Sequence, residues 1–358
     1  MTKKRLILIT EYLNPPYDEG IKKTVYNLFL ELDKTYHLQV ICRAGFPKDN
    51  IQIIQANKLF LSNSIKKIIK GFEPEALIYF PFASATFAGY LRLFVLSVLN
   101  KRAENIIIAL QPKQLKKWQE QIVKFIRPRF ALTPSPQLKA FWDRMNVNNK
   151  LLPLLTDLKT FKPLGKESSK TGLRKKYNLP LDAFIISHVG HLNGGRNLKS
   201  LIPLQKAGFQ ILIISSSSTP RDSLQPTNLK QELIDEGIIV LDKYIENIEE
   251  LYQLSDIYIF PVISQTGSIG TPLSVMEARA CGIPVITTDF GSLKHFFDGD
   301  YGNIYYSCPQ DFILAIEKLR KDTTRNRLQS KVAQLNNKFY NIIHNSISDL
   351  DNIEVKFF

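Results

Sequence analysis

The chain has 358 residues, 44% of them hydrophobic and 22% charged, which suits two globular domains and excludes a disordered chain. Its formal net charge of +14 is one-sided: residues 1–164 carry 26 Lys and Arg against 12 Asp and Glu, while residues 165–358 carry 21 of each. A basic first half points to an anionic partner (a phosphorylated substrate, a membrane surface or nucleic acid) or simply to solubility.

The start, MTKKRLILITEY, is basic and then apolar, but Glu11 interrupts the run too early for a signal peptide. Short apolar runs at 5–10, 38–42, 76–80, 105–110 and 129–133 predict strands. Helical periods at 21–33, 62–71, 84–99, 113–127 and 136–144 alternate with them. Phe82–Leu99 has membrane length, but Arg92 lies mid-span and Ser, Thr and Gly dilute it, so a buried helix is expected. The second half repeats the scheme, with strands predicted at 183–189, 209–215, 237–241, 256–260, 283–288 and 303–306. Continuous apolar strands alternating with helices predict α/β architecture, with two doubly wound parallel sheets in tandem. The joint is placed in 154–172, where strand signals stop and Lys, Ser and Gly accumulate. The domains expected are 1–164, 165–335 and a helical tail, 336–358, running back towards the first. Cys42, Cys281 and Cys308 lack metal-ligand spacing, cannot all pair, and read as reduced thiols of a cytosolic protein.

In open parallel sheets ligands sit beyond the carboxyl ends of the strands, so the segments after strands carry the chemistry. After the strand at 256–260 comes ISQTGSIGTPLSVMEARACG. Thr271 is expected as N-cap and Pro272 as first helical residue, with Gly267 and Gly270 letting the backbone approach a ligand. Free N–H groups and the positive dipole end favour a phosphate at this helix start. Glu277 lies about 1.5 turns in, too far to cap Thr271. Its neighbours Val275, Met276, Ala278 and Cys281 predict burial. A buried carboxylate needs hydrogen-bond donors; sugar hydroxyls would serve, and so would nearby backbone or Arg279. A second site is HVGHLNGGRNLKSLI, where Gly190 turns the chain and Arg196 follows a loop of Asn193, Gly194 and Gly195. Arg196 is placed to hold a diphosphate and His191 to donate a hydrogen bond, although a loop arginine is commonly just solvated.

The stretches LPLLTDLKTFKP, HVGHLNGGRNLKSLI, IENIEELYQLSDIYIFPV, GTPLSVMEARACGIPVITTDFGS and DGDYGNIYY occur in an order and spacing, over 150–306, that resembles glycosyltransferase family 4. That resemblance implies the GT-B fold, two Rossmann-like domains facing across a cleft. It implies retaining transfer of a sugar, of the hexosyltransferase type, from a nucleotide-sugar donor, with no metal and no other cofactor. Glu277 then matches the acid that holds the nucleotide ribose, and Arg196 stands where the family usually has Lys on the diphosphate. The loop from Ser268 through Ile269, Gly270, Thr271 and Pro272 to Leu273 would line the donor. So would Gly190, His191 and, near the base, Tyr244 and Ile245. Gly20, in YDEGIKKTVYNLFLELD, matches the loop that approaches donor phosphate and acceptor. Arg196 and Glu277 are the residues expected to carry catalysis. Three positions depart from the family's pattern: Ile269 replaces the acid on the donor sugar, His191 replaces Arg, and Gln111 stands where His is frequent.

The basic excess has an address in PKQLKKWQEQIVKFIRPRF. On a helical wheel Leu115, Trp118, Ile122, Phe125 and Ile126 share one side, and Lys113, Lys116, Lys117, Lys124 and Arg127 the other. Such a helix suits an anionic membrane interface or a helix packed on the sheet with a solvated lysine face. SIKKIIKGF, 64–72, repeats the theme. The expectations are a lipid-linked or phosphorylated acceptor, work in cell-envelope polysaccharide biosynthesis, and a cytoplasmic protein peripheral at the inner face of the membrane. A non-catalytic scaffold with a decayed donor site is the alternative, which Ile269 and His191 favour. Sequence-specific nucleic-acid binding lacks any base-reading motif, and a sugar-nucleotide epimerase of the same fold lacks support from the quoted stretches.

Overall fold

The structure is a computed structural model that describes residues 3–17, 19–57, 59–60, 62–100, 104–165, 167–215, 227–264, 268–297, 304–321 and 328–348. The chain forms two compact units, Met1–Leu155 with Asn337–Phe358, and Thr156–Asn336.

In the first unit the elements run β1 (Arg5–Thr10), β2 (Tyr12–Leu13), α1 (Gly20–Thr35), β3 (His37–Cys42), β4 (Ala44–Gly45), β5 (Ile51–Ile53) and α2 (Asn63–Phe72). They continue with β6 (Ala76–Phe80), α3 (Phe87–Leu99), β7 (Glu104–Ile108), α4 (Lys117–Phe125), β8 (Phe130–Thr133), α5 (Pro136–Arg144) and β9 (Asn148–Leu151). Seven strands pair in the order β5-β3-β1-β6-β7-β8-β9, every pair parallel. The central strands are buried along almost their whole length, which is why they read as continuous apolar runs. The edge strand β9, Asn-Asn-Lys-Leu, has no apolar pattern and escapes the sequence reading.

Arg92, in the segment of membrane length, explains itself in this unit. Its Nη1 lies 2.6 Å from Glu11 Oε1, and Glu11, 6% exposed, also accepts from the Tyr79 hydroxyl at 3.0 Å and the Phe82 amide at 2.8 Å. The ion pair ties the exits of β1 and β6 to α3. Among the described residues no helix is long and apolar enough to cross a membrane.

The second unit runs α6 (Lys170–Lys176), β10 (Ile185–Val189), α7 (Ile202–Lys206), β11 (Gln210–Ser215), α8 (Thr227–Asp235), β12 (Ile239–Asp242) and α9 (Ile248–Gln253). It continues with β13 (Ile257–Phe260), α10 (Leu273–Ala280), β14 (Val285–Thr287), α11 (Leu293–Phe297), β15 (Ile304–Tyr306) and α12 (Phe312–Lys321), followed by α13 (Leu328–Ser348), which belongs to the first unit from Asn337 onward. Its parallel sheet has the order β12-β11-β10-β13-β14-β15. Strand order reverses between β10 and β13, which face each other at Ile186–Ile257 and Ser187–Tyr258. That reversal is where a doubly wound sheet opens a crevice at its carboxyl edge.

The division after Leu155 comes before the joint expected at 164/165. Residues just past it belong to the second unit for packing reasons: Asn336 bonds Thr156 through both amide atoms, Phe161 meets the Tyr252 ring edge-on at 6.1 Å, and Gln253 donates to the Lys162 carbonyl. The tail expected from 336 is part of the longer α13, and His344 bonds the Tyr36 hydroxyl of the first unit at 2.7 Å. Residues 349–358 lie outside the described residues.

Candidate functional site

Two loops at the switch point of the second sheet hold the residues with unusual environments. The first leaves β10. A Cβ on Gly190 would lie 2.9 Å from His188 Nε2 and 3.2 Å from Arg196 Nη1, so this turn admits only glycine without displacing both side chains. Residues Gly194–Arg196 form a short 3-10 turn, ended by Asn197 at φ +55, whose amide donates to the Pro261 carbonyl at 3.1 Å. This pins the Arg196 loop to the exit of β13.

Arg196 is 9% exposed, and its guanidinium carbon sits 5.9 Å from the centre of the Phe260 ring. Its Nε is buried without an acceptor, and among the described residues no carboxylate lies within ion-pair distance of it. Burial pulls its pKa down from the ordinary value, yet a guanidinium keeps its proton at neutral pH. A buried cation without a counter-ion is costly and calls for an anion.

His188 deepens that imbalance. Its Nδ1 is 2.9 Å from the Ile259 carbonyl, an acceptor only, so the proton is on Nδ1 and Nε2 is the bare nitrogen. Burial, and then the charge of Arg196, push His188 down to about 3. A neutral imidazole leaves the neighbouring cation uncompensated.

The second loop leaves β13 and enters α10. Thr271 is fully buried, and its hydroxyl lies 2.6 Å from the Ser292 hydroxyl. Ser292 also donates to the Gly270 carbonyl, from its amide at 2.9 Å and its hydroxyl at 3.2 Å. Gly291 has φ +57, and a Cβ there would lie 2.0 Å from the Gly270 carbonyl oxygen. The turn after β14 therefore grips the Gly270–Thr271 loop from behind, and Thr288 bonds the Val262 carbonyl beside it.

This corrects the expected cap. Pro272, at φ −64 and ψ 120, is the N-cap, α10 begins at Leu273, and no side chain caps it. Thr271 stands one residue too early and its hydroxyl is committed to Ser292. The Val275 amide donates to the Pro272 carbonyl at 3.2 Å, so the Leu273 and Ser274 amides are the ones left at the positive end of the dipole.

Glu277 is 4% exposed, and its Oε2 accepts from the Tyr252 hydroxyl of α9 at 2.9 Å. Burial and the Glu277 charge raise the Tyr252 phenol well above its usual range, so it stays a donor. Tyr258 on β13 lies 2.7 Å from Ser274 Oγ and 3.4 Å from the Val189 carbonyl, and joins the two loops. Its phenol is raised first by burial and is in electrostatic range of both Arg196 and Glu277.

Gly190, Arg196, Gly270, Thr271, Pro272, Leu273 and Glu277 therefore surround one strand reversal, with Ser268 and Ile269 buried at 7% each in the same loop. Gly267 lies outside the described residues. His191 follows Gly190, and its carbonyl accepts from the Asn193 amide in the loop that leads to Arg196. Ile245 packs beside Leu251 and Leu254, and Tyr244 is 54% exposed. Gly20 opens α1 in the first unit. There too, Gln111 donates its amide to the Ser84 hydroxyl and accepts from Lys113 Nζ. Sequence reasoning missed His188, Tyr252, Tyr258, Gly291 and Ser292. Only His188 left a local signal, a polar residue inside the apolar run IISHV.

The basic segment departs from its helical wheel. The helix covers only Lys117–Phe125, and Val123 is its one buried residue. Leu115 and Ile126 pack on the core beyond its ends, whereas Trp118, Ile122 and Phe125 are exposed. The five cations are all exposed. Among the described residues no group of three or more His, Cys, Asp or Glu is placed to hold a metal ion.

Residues 186–322 match the family model described as Glycosyl transferases group 1. A protein of Bacillus subtilis (strain 168), provisionally named the teichuronic acid biosynthesis glycosyltransferase TuaC, is 30% identical over 152 residues. That match spans 42% of this chain and 36% of the relative. HepE of Anabaena, solved with UDP and glucose, superposes with a TM-score of 0.72 at 12% identity over 98% of this chain and 100% of its own. Sucrose-phosphate synthase from Thermosynechococcus elongatus gives 0.71 at 16% identity over 98% of both chains. A glycosyltransferase from Rickettsia africae gives 0.74 at 14% identity over 97% of this chain and 99% of its own. At such identities the likeness speaks to the fold, which is GT-B.

Proposed function

We propose that this GT-B chain, whose residues 186–322 match the group 1 glycosyl transferases, moves a hexose from a nucleotide-sugar donor to an acceptor hydroxyl with retention and without a metal. The observation that carries the reading is Arg196: a buried guanidinium with no counter-ion among the described residues, in electrostatic range of Tyr258, whose hydroxyl bonds Ser274 in the first turn of α10. A diphosphate supplies the missing charge and accepts from the guanidinium and from the amide end of α10. Glu277, oriented by Tyr252, takes the ribose hydroxyls, each of which offers a donor to a carboxylate.

Catalysis in this account is positioning together with stabilisation of the leaving group. The bond between the anomeric carbon and the phosphate oxygen breaks, and its electron pair stays on the diphosphate under Arg196 and α10. The acceptor oxygen bonds the anomeric carbon on the face just vacated, and its proton passes to a departing phosphate oxygen. No side-chain nucleophile is required. Ile269, buried and apolar, meets the donor sugar in place of an acid and so selects which sugar is held.

HepE has been solved with UDP-glucose, which makes UDP-sugars the first donors to try, and the relative TuaC is named for teichuronic acid biosynthesis. The basic first half suits a lipid-linked or phosphorylated acceptor and a protein peripheral at the inner face of the membrane. The test is release of nucleoside diphosphate from a panel of nucleotide sugars with candidate acceptors, and assignment of the product anomer by NMR. A retained anomer formed with chelator present is the expected result. Binding of nucleotide without release from any sugar, in Arg196 and Glu277 variants as in the parent, would favour a decayed donor site.

A further inference from the structure

Helix α4 shows solvent the residues a covering helix normally hides. Trp118 is 54%, Ile122 37% and Phe125 87% exposed. The Phe87 ring of α3 meets Trp118 edge-on at 5.3 Å, and α3 adds Phe94 at 42% and Val98 at 51% exposure. At 3.6 residues per turn, Trp118, Ile122 and Phe125 form one stripe, Lys117 and Lys124 the adjacent flank, and Val123 points inward. Lys113, Lys116 and Arg127 extend the cationic flank beyond the helix ends. Residues 113–127 hold these five cations and the single acid Glu120. Among the described residues Lys116, Lys117, Lys124 and Arg127 enter no ion pair.

Amphipathic covering helices are common, but α2 shows what the ordinary kind looks like. Its Lys66, Lys67 and Lys70 are exposed while Ile65 and Ile69 are buried. In α4 the lysines and the large apolar side chains are exposed together. An aromatic stripe flanked by several lysines suits a bilayer interface, where rings sit at the headgroup level and ammonium groups reach lipid phosphates. It suits a protein partner poorly, since lysine is depleted from such interfaces.

We propose that α4, with the exposed edge of α3, is an insertion surface that seats this protein on an anionic bilayer. Trp118, Ile122 and Phe125 enter the boundary between headgroups and acyl chains, and Lys113, Lys116, Lys117, Lys124 and Arg127 bind anionic headgroups. Lipid contact does not depend on the transferase reading; only the step from this surface to a lipid-linked acceptor rests on that reading.

The test is co-sedimentation of the full chain with phosphatidylglycerol-rich and with pure phosphatidylcholine vesicles, at low and high salt. The chain has two tryptophans, and Trp142 is fully buried with its Nε1 bonded to Tyr90, so a lipid-induced emission change reports Trp118. Expected are salt-sensitive binding to the anionic vesicles, a blue shift, and quenching by lipids brominated on their acyl chains. Replacing Lys116, Lys117 and Lys124 with Gln should lower partition on the order of a hundredfold. I122S/F125S should abolish the blue shift while leaving the lipid-free thermal midpoint in place. Equal partition of parent and variants, or equal binding to both vesicles, overturns the proposal. So does a blue shift that follows protein concentration without lipid, which would assign the stripe to a second copy of the chain.

Discussion

Helices α10 and α4 break the inside–outside rule in opposite senses. Around α10 charge is buried: Glu277 lies within the helix, and Arg196, on the loop after β10, has no counter-ion among the described residues. Along α4 aromatic and aliphatic surface is exposed, under lysines that could have covered it. Both departures are of kinds that cost stability when left unanswered, and the two proposals answer them with different partners: an anion for α10, an apolar interface with negative headgroups for α4. Groups that are individually costly to the fold are the ones whose chemistry a ligand completes.

The largest test of this contrast is at the turn behind α10. G291A puts a Cβ against the Gly270 carbonyl at φ +57, a backbone collision with no flexible side chain to give way. It should lower stability by roughly 3 kcal/mol or more, seen as a fall of many degrees in the thermal midpoint, and abolish nucleotide binding. A midpoint close to the parent's would mean that the two turns do not press on each other.

R196L separates function from stability. Nucleoside diphosphate affinity should fall about tenfold to a hundredfold, while the thermal midpoint holds or rises because an unpaired buried charge has gone. Loss of both together would make Arg196 structural. Y252F should cost about 1–3 kcal/mol, since it removes a donor from a buried carboxylate. It should also weaken nucleoside binding more than pyrophosphate binding, and an equal loss of both would detach Glu277 from the ribose.

His188 gives a pH test. Its folded pKa, about 3, lies below the ordinary 6.5 that the unfolded chain restores. Between those values the unfolded chain binds the extra proton, so its contribution to stability is complete above 6.5 and is lost as pH falls towards 3. H188F should flatten that part of a plot of midpoint against pH, and an unchanged slope would assign it to other groups. The smallest effect belongs to α4. Without lipid, F125S should change stability by no more than about 0.5 kcal/mol, whereas I65A on α2 should cost about 2–5 kcal/mol.

Much of this fold is legible in the sequence, because the central strands are buried on both faces and read as unbroken apolar runs. Edges are not: β9 is Asn-Asn-Lys-Leu, and its pairing with β8 carries no local pattern. At the site, Glu277, Arg196 and the glycine turn announce themselves through residue type and position after a strand. Their supports do not, since Tyr252 and Ser292 act 25 and 21 residues away in sequence. Thr271 looks like a cap because the local motif is a good one, and a tertiary hydroxyl contact overrides it. For α4 the wheel groups Leu115 and Ile126 with Trp118, Ile122 and Phe125, whereas the structure exposes only the last three. Which sector faces the core depends on its neighbours, and here the core takes only Val123, with Leu115 and Ile126 at the flanks.

The measurement closest to the central claim is calorimetric titration of the parent and R196L with UDP, ADP, the matching nucleosides and pyrophosphate. If Arg196 and the α10 start form a diphosphate site, one nucleoside diphosphate binds the parent well above its nucleoside, and R196L loses most of that margin. Equal affinity of parent and variant for every phosphate ligand, or no binding by the parent, would contradict the account.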